Sequence, residues 1–422
     1  MSLARDIARR FLEAITTREA ACAVGRPLYF LAGRRGGKQI ALKRAHAILV
    51  VRVDEIGDVV LTAPFLRELR RNAPAAWITL VVRPHVVNLV ELCPYVNEVL
   101  TFEWTARGRA QRLKVPARAL YLAVTRLWTR RFDFAIIPRW DVDYDHATHL
   151  IYVSGARRRV TYSETVSDRK RRLNAGLDRM LTDAIAADGG THEVELNLDV
   201  IRYLGGEVSD DRLEVWLDQK DRSFAARVLA EHSVTPGRPL VAFVPGSRLR
   251  RKQWPIERFS ELGRLLLDEY QPYVVVVGGP NDRPLGGRLE AELGDRVINL
   301  AGRTTLRQVA AVLDRCCLTV SNDSGPMHLA AAVGSAVVEI AWYACDNSPR
   351  GSDSPARFHP WGVPHEVVHP ENLSAPCHDY CESHEAHCIL GVETGKVWAA
   401  VRSLLDAETR IGASASDQRC IS

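Results

Sequence analysis

The chain contains no apolar run approaching the roughly 18 residues that a helix needs to cross a bilayer. Its N-terminal apolar residues are interrupted by Glu13, Arg18 and Glu19, so they do not read as a signal peptide, and a cytoplasmic setting is expected. Paired Cys-x-x-Cys motifs are lacking too. The 9 cysteines are odd in number and scattered apart from a C-terminal group, which points to a reducing compartment and away from a disulfide framework. The Gly33–Lys38 segment misses the Walker A spacing, because Gln39 stands where Ser or Thr must follow the lysine. Asp141, Asp143 and Asp145 alternate, but no glycine turn or terminal glutamate completes a calcium loop of the EF-hand type. No internal sequence repeat is present.

What is present suits an ordinary two-domain protein. At 422 residues the chain exceeds one domain, and 46% hydrophobic with 25% charged residues gives material for two cores. The net charge of +5 is modest, and no nucleic-acid partner is expected. Its distribution is uneven: residues 1–46 hold 10 Lys/Arg against 3 Asp/Glu, and further basic runs occur at Arg157–Arg159 and Arg169–Arg172. Such runs suit an acidic substrate or an anionic lipid surface, or are a solvated arginine-rich exterior.

Apolar runs alternating with helical stretches predict parallel sheets covered by helices, an α/β fold. Residues 1–45 read as a basic extension, 46–205 as a first domain, 206–395 as a second, and 396–422 as a final helix and tail. The junction falls in the polar, Gly/Asp-rich region from about 186 to 220. In the first domain, 47–53 reads as a buried strand, 54–57 as a turn and 58–71 as one helix. Strands are predicted at 77–82, 99–102 and 132–137. In the second, strands at 240–244, 273–277, 297–300 and 318–321 alternate with helices at 255–270 and 305–315. A helix near 397–405 closes the chain.

The densest chemical signal is the turn from Ser321 to His328. It follows a short apolar strand and leads into an alanine-rich helix, with Pro326 suited to the first turn. Free backbone N–H groups, the Ser324 hydroxyl and the His328 imidazole converge beside a helix N-terminus, where phosphate is favoured. His328 alone reads equally well as a structural histidine. A second strand-end loop, Pro245 to Lys252, includes Gly246 and Ser247 and carries Arg248, Arg250, Arg251 and Lys252. A fixed cation there would stabilise a departing diphosphate, and Lys252 is the candidate. Together the two loops suggest a nucleotide diphosphate site. Gly278 to Asp282 ends another strand, where Asp282 could accept hydrogen bonds from ribose or the segment could be a plain turn.

Asp58 follows Gly57 at the end of the first strand. It could deprotonate a substrate hydroxyl, or satisfy backbone N–H groups at a helix N-terminus, a place that lowers its pKa and weakens it as a base. Both readings stand, with Asp54 and Glu55 as alternative bases. Asp141, Asp143 and Asp145 read as hydrogen-bonding partners of an acceptor or as surface residues. Cys377, Cys381 and Cys388 with interleaved histidines have roughly metal-ligand spacing, against redox pairing or a packed reduced loop.

Taken together, Ile48–Pro64, Pro245–Pro255, Val274–Pro280 and Val320–Ala332 resemble glycosyltransferase family 9, the ADP-heptose:lipopolysaccharide heptosyltransferases, over about residues 47–405. The resemblance implies a GT-B architecture of two facing Rossmann-like domains, the acceptor held mainly by the first and the nucleotide sugar by the second. It implies inverting, metal-independent transfer of a sugar, most simply heptose from an ADP-heptose, onto a lipopolysaccharide-type or other phosphorylated glycolipid. No cofactor or metal is implied beyond the nucleotide-sugar donor, and peripheral contact with the inner membrane surface is compatible with it. By motif, Asp58 would be the general base and Lys252 would neutralise the diphosphate. Gly246, Ser247, Asp282, Asp323, Ser324, Gly325 and His328 would hold the donor. Gly57, Thr62, Arg139 and Asp141 are the candidate acceptor-binding residues. The first 45 residues extend beyond the usual family start, and Pro138–Asp145 departs from the usual acceptor-domain pattern. A sugar-nucleotide epimerase or hydrolase, or a non-catalytic binding protein, would share the fold.

Overall fold

The computed structural model describes residues 40–103, 118–187, 189–235, 237–342, 354–371 and 383–412. Residues 1–39, Cys377 and Cys381 therefore lie outside the described residues, while Cys388 is buried in the second core. The body of the fold already includes Leu42 and Ala45, both buried against the first core.

Strands β1 (Ala47–Arg52), β2 (Trp77–Val82), β3 (Glu98–Thr101), β4 (Phe134–Ile136), β5 (Arg158–Tyr162) and β6 (Asp183–Ile185) make one sheet, ordered β3-β2-β1-β4-β5-β6. Strands β7 (Leu240–Val244), β8 (Tyr273–Val276), β9 (Val297–Asn299), β10 (Leu318–Asn322), β11 (Ala336–Ile340) and β12 (His365–Val368) make a second, ordered β12-β11-β10-β7-β8-β9. Both sheets are parallel. Counted from its own first strand, each runs 3-2-1-4-5-6, the Rossmann order, and reverses once: between β1 and β4, and between β7 and β10. Strands covered on both faces must be apolar on both, which is why Ile48, Leu49, Val50 and Val51 are all fully buried.

Three elements differ from the sequence-based expectations. The helix expected over 58–71 is two: α1 (Ile56–Val60) and α2 (Ala63–Asn72). Pro64 can only stand in the first turn of a helix, so the chain breaks at Leu61 and Thr62 and restarts. The region taken as a polar junction contains α3 (Glu193–Tyr203), which buries Val194, Leu196, Leu198, Val200 and Ile201, several of them in the core beside α2. The basic runs are not all solvated. Arg158 is a β5 residue paired with Asp183, and Lys170 is buried, donating from Nζ to the carbonyls of Trp140 (2.8 Å) and Tyr162 (3.0 Å). Burial brings the Lys170 ammonium down to about 8.

In the second half, α4 (Gln219–Glu231), α5 (Ile256–Glu269) and α6 (Leu306–Leu313) cover the sheet, α6 capped by the Thr305 hydroxyl, which accepts from the Gln308 amide. They are followed by α7 (Gly325–Ala332), the short α8 (Pro355–Phe358) and α9 (Thr394–Gly412). The last packs on β10, β11 and β12, with Val397, Val401, Leu404 and Leu405 in the second core. Among the described residues no helix is long and apolar enough to cross a membrane.

Candidate active site

Each sheet offers one crevice, where the strand order reverses and the flanking loops splay apart. The loop carrying Asp58 follows β1 at the first reversal. The loops from 245 and from 323 follow β7 and β10 at the second. Topology therefore sets the sequence-derived candidates at two switch points, and the packing of α1 against α7 brings these together.

Two glycines make the approach possible. A Cβ on Gly57 would lie 2.5 Å from Cδ2 of His328, and one on Gly325 would lie 2.6 Å from Cβ of Ile56. Both distances are below any real carbon contact, so only glycine lets the two helix N-termini meet this closely. The residue after Gly57 is Asp58, so the turn that carries this carboxylate packs against the His328 ring of the second half.

Asp58 combines the two roles that the sequence left open. Oδ2 accepts from the Glu55 amide (3.3 Å), closing a capping box at the start of α1, and Oδ1 lies 3.3 Å from Nη2 of Arg52. The expectation of a depressed pKa does not hold. Burial pushes the carboxyl up and the Glu193 carboxylate adds to it, against the Arg52 guanidinium, so that Asp58 reaches about 6. A quarter of its side chain remains open. Thr62 is buried, its hydroxyl donating 2.7 Å to the Asp58 carbonyl across the break between α1 and α2.

The other first-half candidates lie around the same crevice. Arg139 is ion-paired with Asp54. Asp141 is buried and accepts from Arg357 of the second half at 3.1 Å. Burial alone would raise its carboxyl, but Arg357, Arg139 and the Val142 amide outweigh this and hold it below the usual range. The alternating aspartates diverge: Asp143 accepts from the amides of Ala147 (2.9 Å) and Thr148 (2.8 Å), and Asp145 pairs with Arg83.

Of the four cations in the 248–252 loop, Lys252 is the one that turns inward onto a carboxylate. Its side chain is 11% exposed, and Nζ lies 2.7 Å from Oδ2 of Asp323 and 5.7 Å from the centre of the Trp342 ring. Arg248 and Arg250 are exposed, reaching Glu55 and Glu385. At position 246 a side chain would collide with the carboxylate of Asp282. A Cβ on Gly246 would come within 2.2 Å of the Asp282 carboxylate, which accepts from the Gly279 amide at 2.8 Å. Burial raises the Asp282 carboxyl against that amide. Ser247, half-buried, fixes the loop through its carbonyl, which accepts from Gln253 at 2.6 Å.

Ser324 is the N-cap residue of α7 and makes no side-chain cap bond there, its hydroxyl lying 3.3 Å from that of Ser321. His328 is 4% exposed and its Nδ1 has no hydrogen-bond partner among the described residues. Burial brings it to about 4, so the ring is neutral at pH 7 and can act as a hydrogen-bond partner but not as a standing cation.

Two residues went unassigned by sequence reasoning. Asn322, fully buried at the end of β10, ties the loop after β10 to the one after β7: Nδ2 donates to the Pro245 carbonyl (2.8 Å) and Oδ1 accepts from the Trp254 amide (3.1 Å). A buried Asn at a strand end, two positions from the cap, was its only signal. Glu339 on β11 is 1% exposed with Oε2 unpartnered among the described residues, and burial together with nearby Asp323 pushes its carboxyl well above the usual range against the pull of Lys252. A lone glutamate in an apolar strand was its signal.

Comparison with known proteins agrees with this layout. The sequence profile of glycosyltransferase family 9 (heptosyltransferase) matches residues 166–387, more than half of the chain. Lipopolysaccharide heptosyltransferase 2 of Salmonella typhimurium is 26% identical over 306 residues, covering 69% of this chain and 82% of that relative. A shorter stretch of 116 residues is 36% identical to lipopolysaccharide heptosyltransferase 2 of Escherichia coli K12, 26% of this chain and 33% of that one. Among solved structures, a family 9 glycosyl transferase from Veillonella parvula superposes with a TM-score of 0.70 at 22% identity, over 88% of this chain and 99% of that one. The ADP-heptose lipopolysaccharide heptosyltransferase II of E. coli gives 0.61 at 21%, over 86% and 99%. At such identities the superpositions speak for the GT-B fold, whereas the profile speaks for descent: the chain belongs to glycosyltransferase family 9, the heptosyltransferases, and is a glycosyltransferase.

Proposed function

We propose that this glycosyltransferase moves heptose from ADP-heptose onto a lipopolysaccharide-type, phosphorylated glycolipid acceptor at the inner face of the cytoplasmic membrane, by a single inverting displacement that needs no metal. The observation that supports this reading is the Gly57–His328 contact, which packs the α1 turn bearing the partly open Asp58 against the N-terminal turn of α7. The names of the relatives support heptose and lipopolysaccharide as substrate classes.

In this mechanism the donor's diphosphate lies against the N-terminus of α7, with Ser324, Gly325 and His328 around it and Asp282 at the ribose. Lys252, now on Asp323, turns to the diphosphate and supplies the fixed positive charge that a metal would otherwise give. An acceptor hydroxyl, positioned from the first half by the Gly57 turn and the Arg139 and Asp141 region, gives its proton to Asp58. Its oxygen attacks the anomeric carbon on the face opposite the diphosphate. As that bond forms, the bond from the anomeric carbon to the phosphate oxygen breaks, ADP leaves, and configuration inverts. With a pKa of about 6, Asp58 is about nine-tenths ionised at pH 7 while remaining a stronger base than an exposed aspartate.

The test is Asp58→Asn. Nucleotide binding should be retained and transfer should fall by about 10²-fold or more, the scale of a lost general base; near-normal turnover would remove Asp58 from the role. Incubation with ADP-heptose alone provides the control for the reaction class, since release of free sugar or an altered sugar without acceptor would identify hydrolysis or epimerisation.

A further inference from the structure

Arg52 faces more carboxylates than its single charge can neutralise. Its Nε lies 3.1 Å from Oδ2 of Asp54, and its Nη2 lies 3.3 Å from Oδ1 of Asp58 and 3.2 Å from Oε1 of Glu193. Nη1 donates to the Pro138 carbonyl. The side chains of Arg52 and Glu193 are 1% and 2% exposed, so water screens their interaction little. Glu193 opens α3, and its second oxygen lies 3.4 Å from Nε of Arg357. Arg357 comes from α8, in the second half, and its Nη2 returns to Asp141 of the first half at 3.1 Å. A line of alternating charge thus leaves Asp58, passes through Arg52, Glu193 and Arg357, and ends on Asp141.

We propose that Glu193 is a positioning residue for the general base: it holds Arg52 in a shared pairing, keeps Asp58 a competent proton acceptor, and links that competence to Arg357 arriving from the other half. The proposal rests on the reading of Asp58 as the base. A buried arginine paired with Asp58 alone would hold it firmly ionised and make it a poor base. Dividing that charge among three carboxylates relieves the hold. The groups acting on Asp58 are Arg52 on β1, which it shares with Asp54, Glu55 at the start of α1, and Glu193 on α3. Of these, Glu193 is the one ion-paired with Arg357. Its carboxylate adds to burial in raising Asp58, in the sense this arrangement requires.

The experiment reads Asp58 directly, by carbon-13 NMR titration of aspartate carboxyls in the full chain, its resonance assigned by loss in Asp58→Asn. Glu193→Gln preserves an oxygen acceptor for Arg52 and removes the charge. The Asp58 midpoint should fall by about 1 unit, and the acid limb of transfer kcat/KM should move the same way. Arg357→Gln, which leaves Glu193 uncompensated, should shift the midpoint upward, while Arg357→Lys should leave it in place. A midpoint unmoved in Glu193→Gln overturns the proposal, as does a shift of the same sign in Glu193→Gln and Arg357→Gln. A merely structural glutamate would lower the melting temperature and the rate with the midpoint fixed, and that pattern also overturns it. Should Glu193→Gln not fold, Arg357→Gln decides, and a midpoint that fails to rise sinks the idea. Failure of the base assignment is read separately, from transfer by Asp58→Asn, because the titration needs no turnover.

Discussion

At the scale of single residues, the site depends on what burial does to charge. Asp58 is a helix-capping carboxylate suited also to act as a base, because desolvation moves it opposite to the direction set by the helix N-terminus. The acid limb of transfer follows. The ionised form accepts the proton, so kcat/KM should be level above pH of about 7 and fall about tenfold per unit below about 6. A rate–pH profile with no break between about 5 and 7 would contradict it. Lys252 illustrates the converse. Its ammonium rests on Asp323 at 2.7 Å, with both side chains little exposed, and is available to an incoming diphosphate at the cost of that pair. Lys252→Ala should weaken ADP binding and transfer together, by about tenfold or more in each. Calorimetry showing unchanged ADP affinity would place the diphosphate elsewhere.

At the scale of elements, loops acquire their function from what clamps them. The cationic loop after β7 has the right charges, but its shape comes from Asn322 on the neighbouring strand, bonded to Pro245 at one end and Trp254 at the other. Asn322→Ala would leave a buried carbonyl and a buried amide without partners, costing about 1–3 kcal/mol for each. The expected result is a lower melting temperature together with a loss of donor affinity larger than that of acceptor affinity. Equal affinity for ADP in the variant would separate loop shape from binding. The strands β1, β7, β8 and β10 were legible in the sequence because a strand covered on both sides is one continuous apolar run. β5 was not, because Arg158 and Arg159 stand in it and read as surface charge until Asp183 is seen beside Arg158. α3 was hidden in the same way by the polar residues around its apolar ones.

At the scale of the whole molecule, the proposed mechanism needs two switch points to face one another. Gly57 and Gly325 lie at that contact, where α1 meets α7 with no room for a side-chain carbon on either. Gly57→Ala would place Cβ 2.5 Å from the His328 ring carbon, so either the ring or one half must move, at about 1–3 kcal/mol for an overpacked contact. In the proposed mechanism the acceptor and the donor are held by different halves, so transfer should fall by about tenfold or more. Equal transfer rates for the variant and the parent would show that the closeness of the halves is incidental. The line of charge from Asp58 to Arg357 also joins the two halves and, in the proposal above, makes the base sensitive to how they sit.

The sequence by itself determined the α/β class, the two sheets, the loops at their carboxyl ends and the residue types able to handle a diphosphate and a proton, because local pattern and turn chemistry are written over short distances. Motif resemblance supplied the family. Only the tertiary structure decided which of these residues meet: that Lys252 turns inward onto Asp323, that Asn322 joins the two loops, that Asp58 is raised and not lowered, and that Glu193 and Arg357 stand behind it. Such facts depend on burial and on partners up to 216 residues apart in the chain, as for Arg357 and Asp141. Electrostatic energy depends on distance in space and on exclusion of water, neither of which a linear order of residues contains.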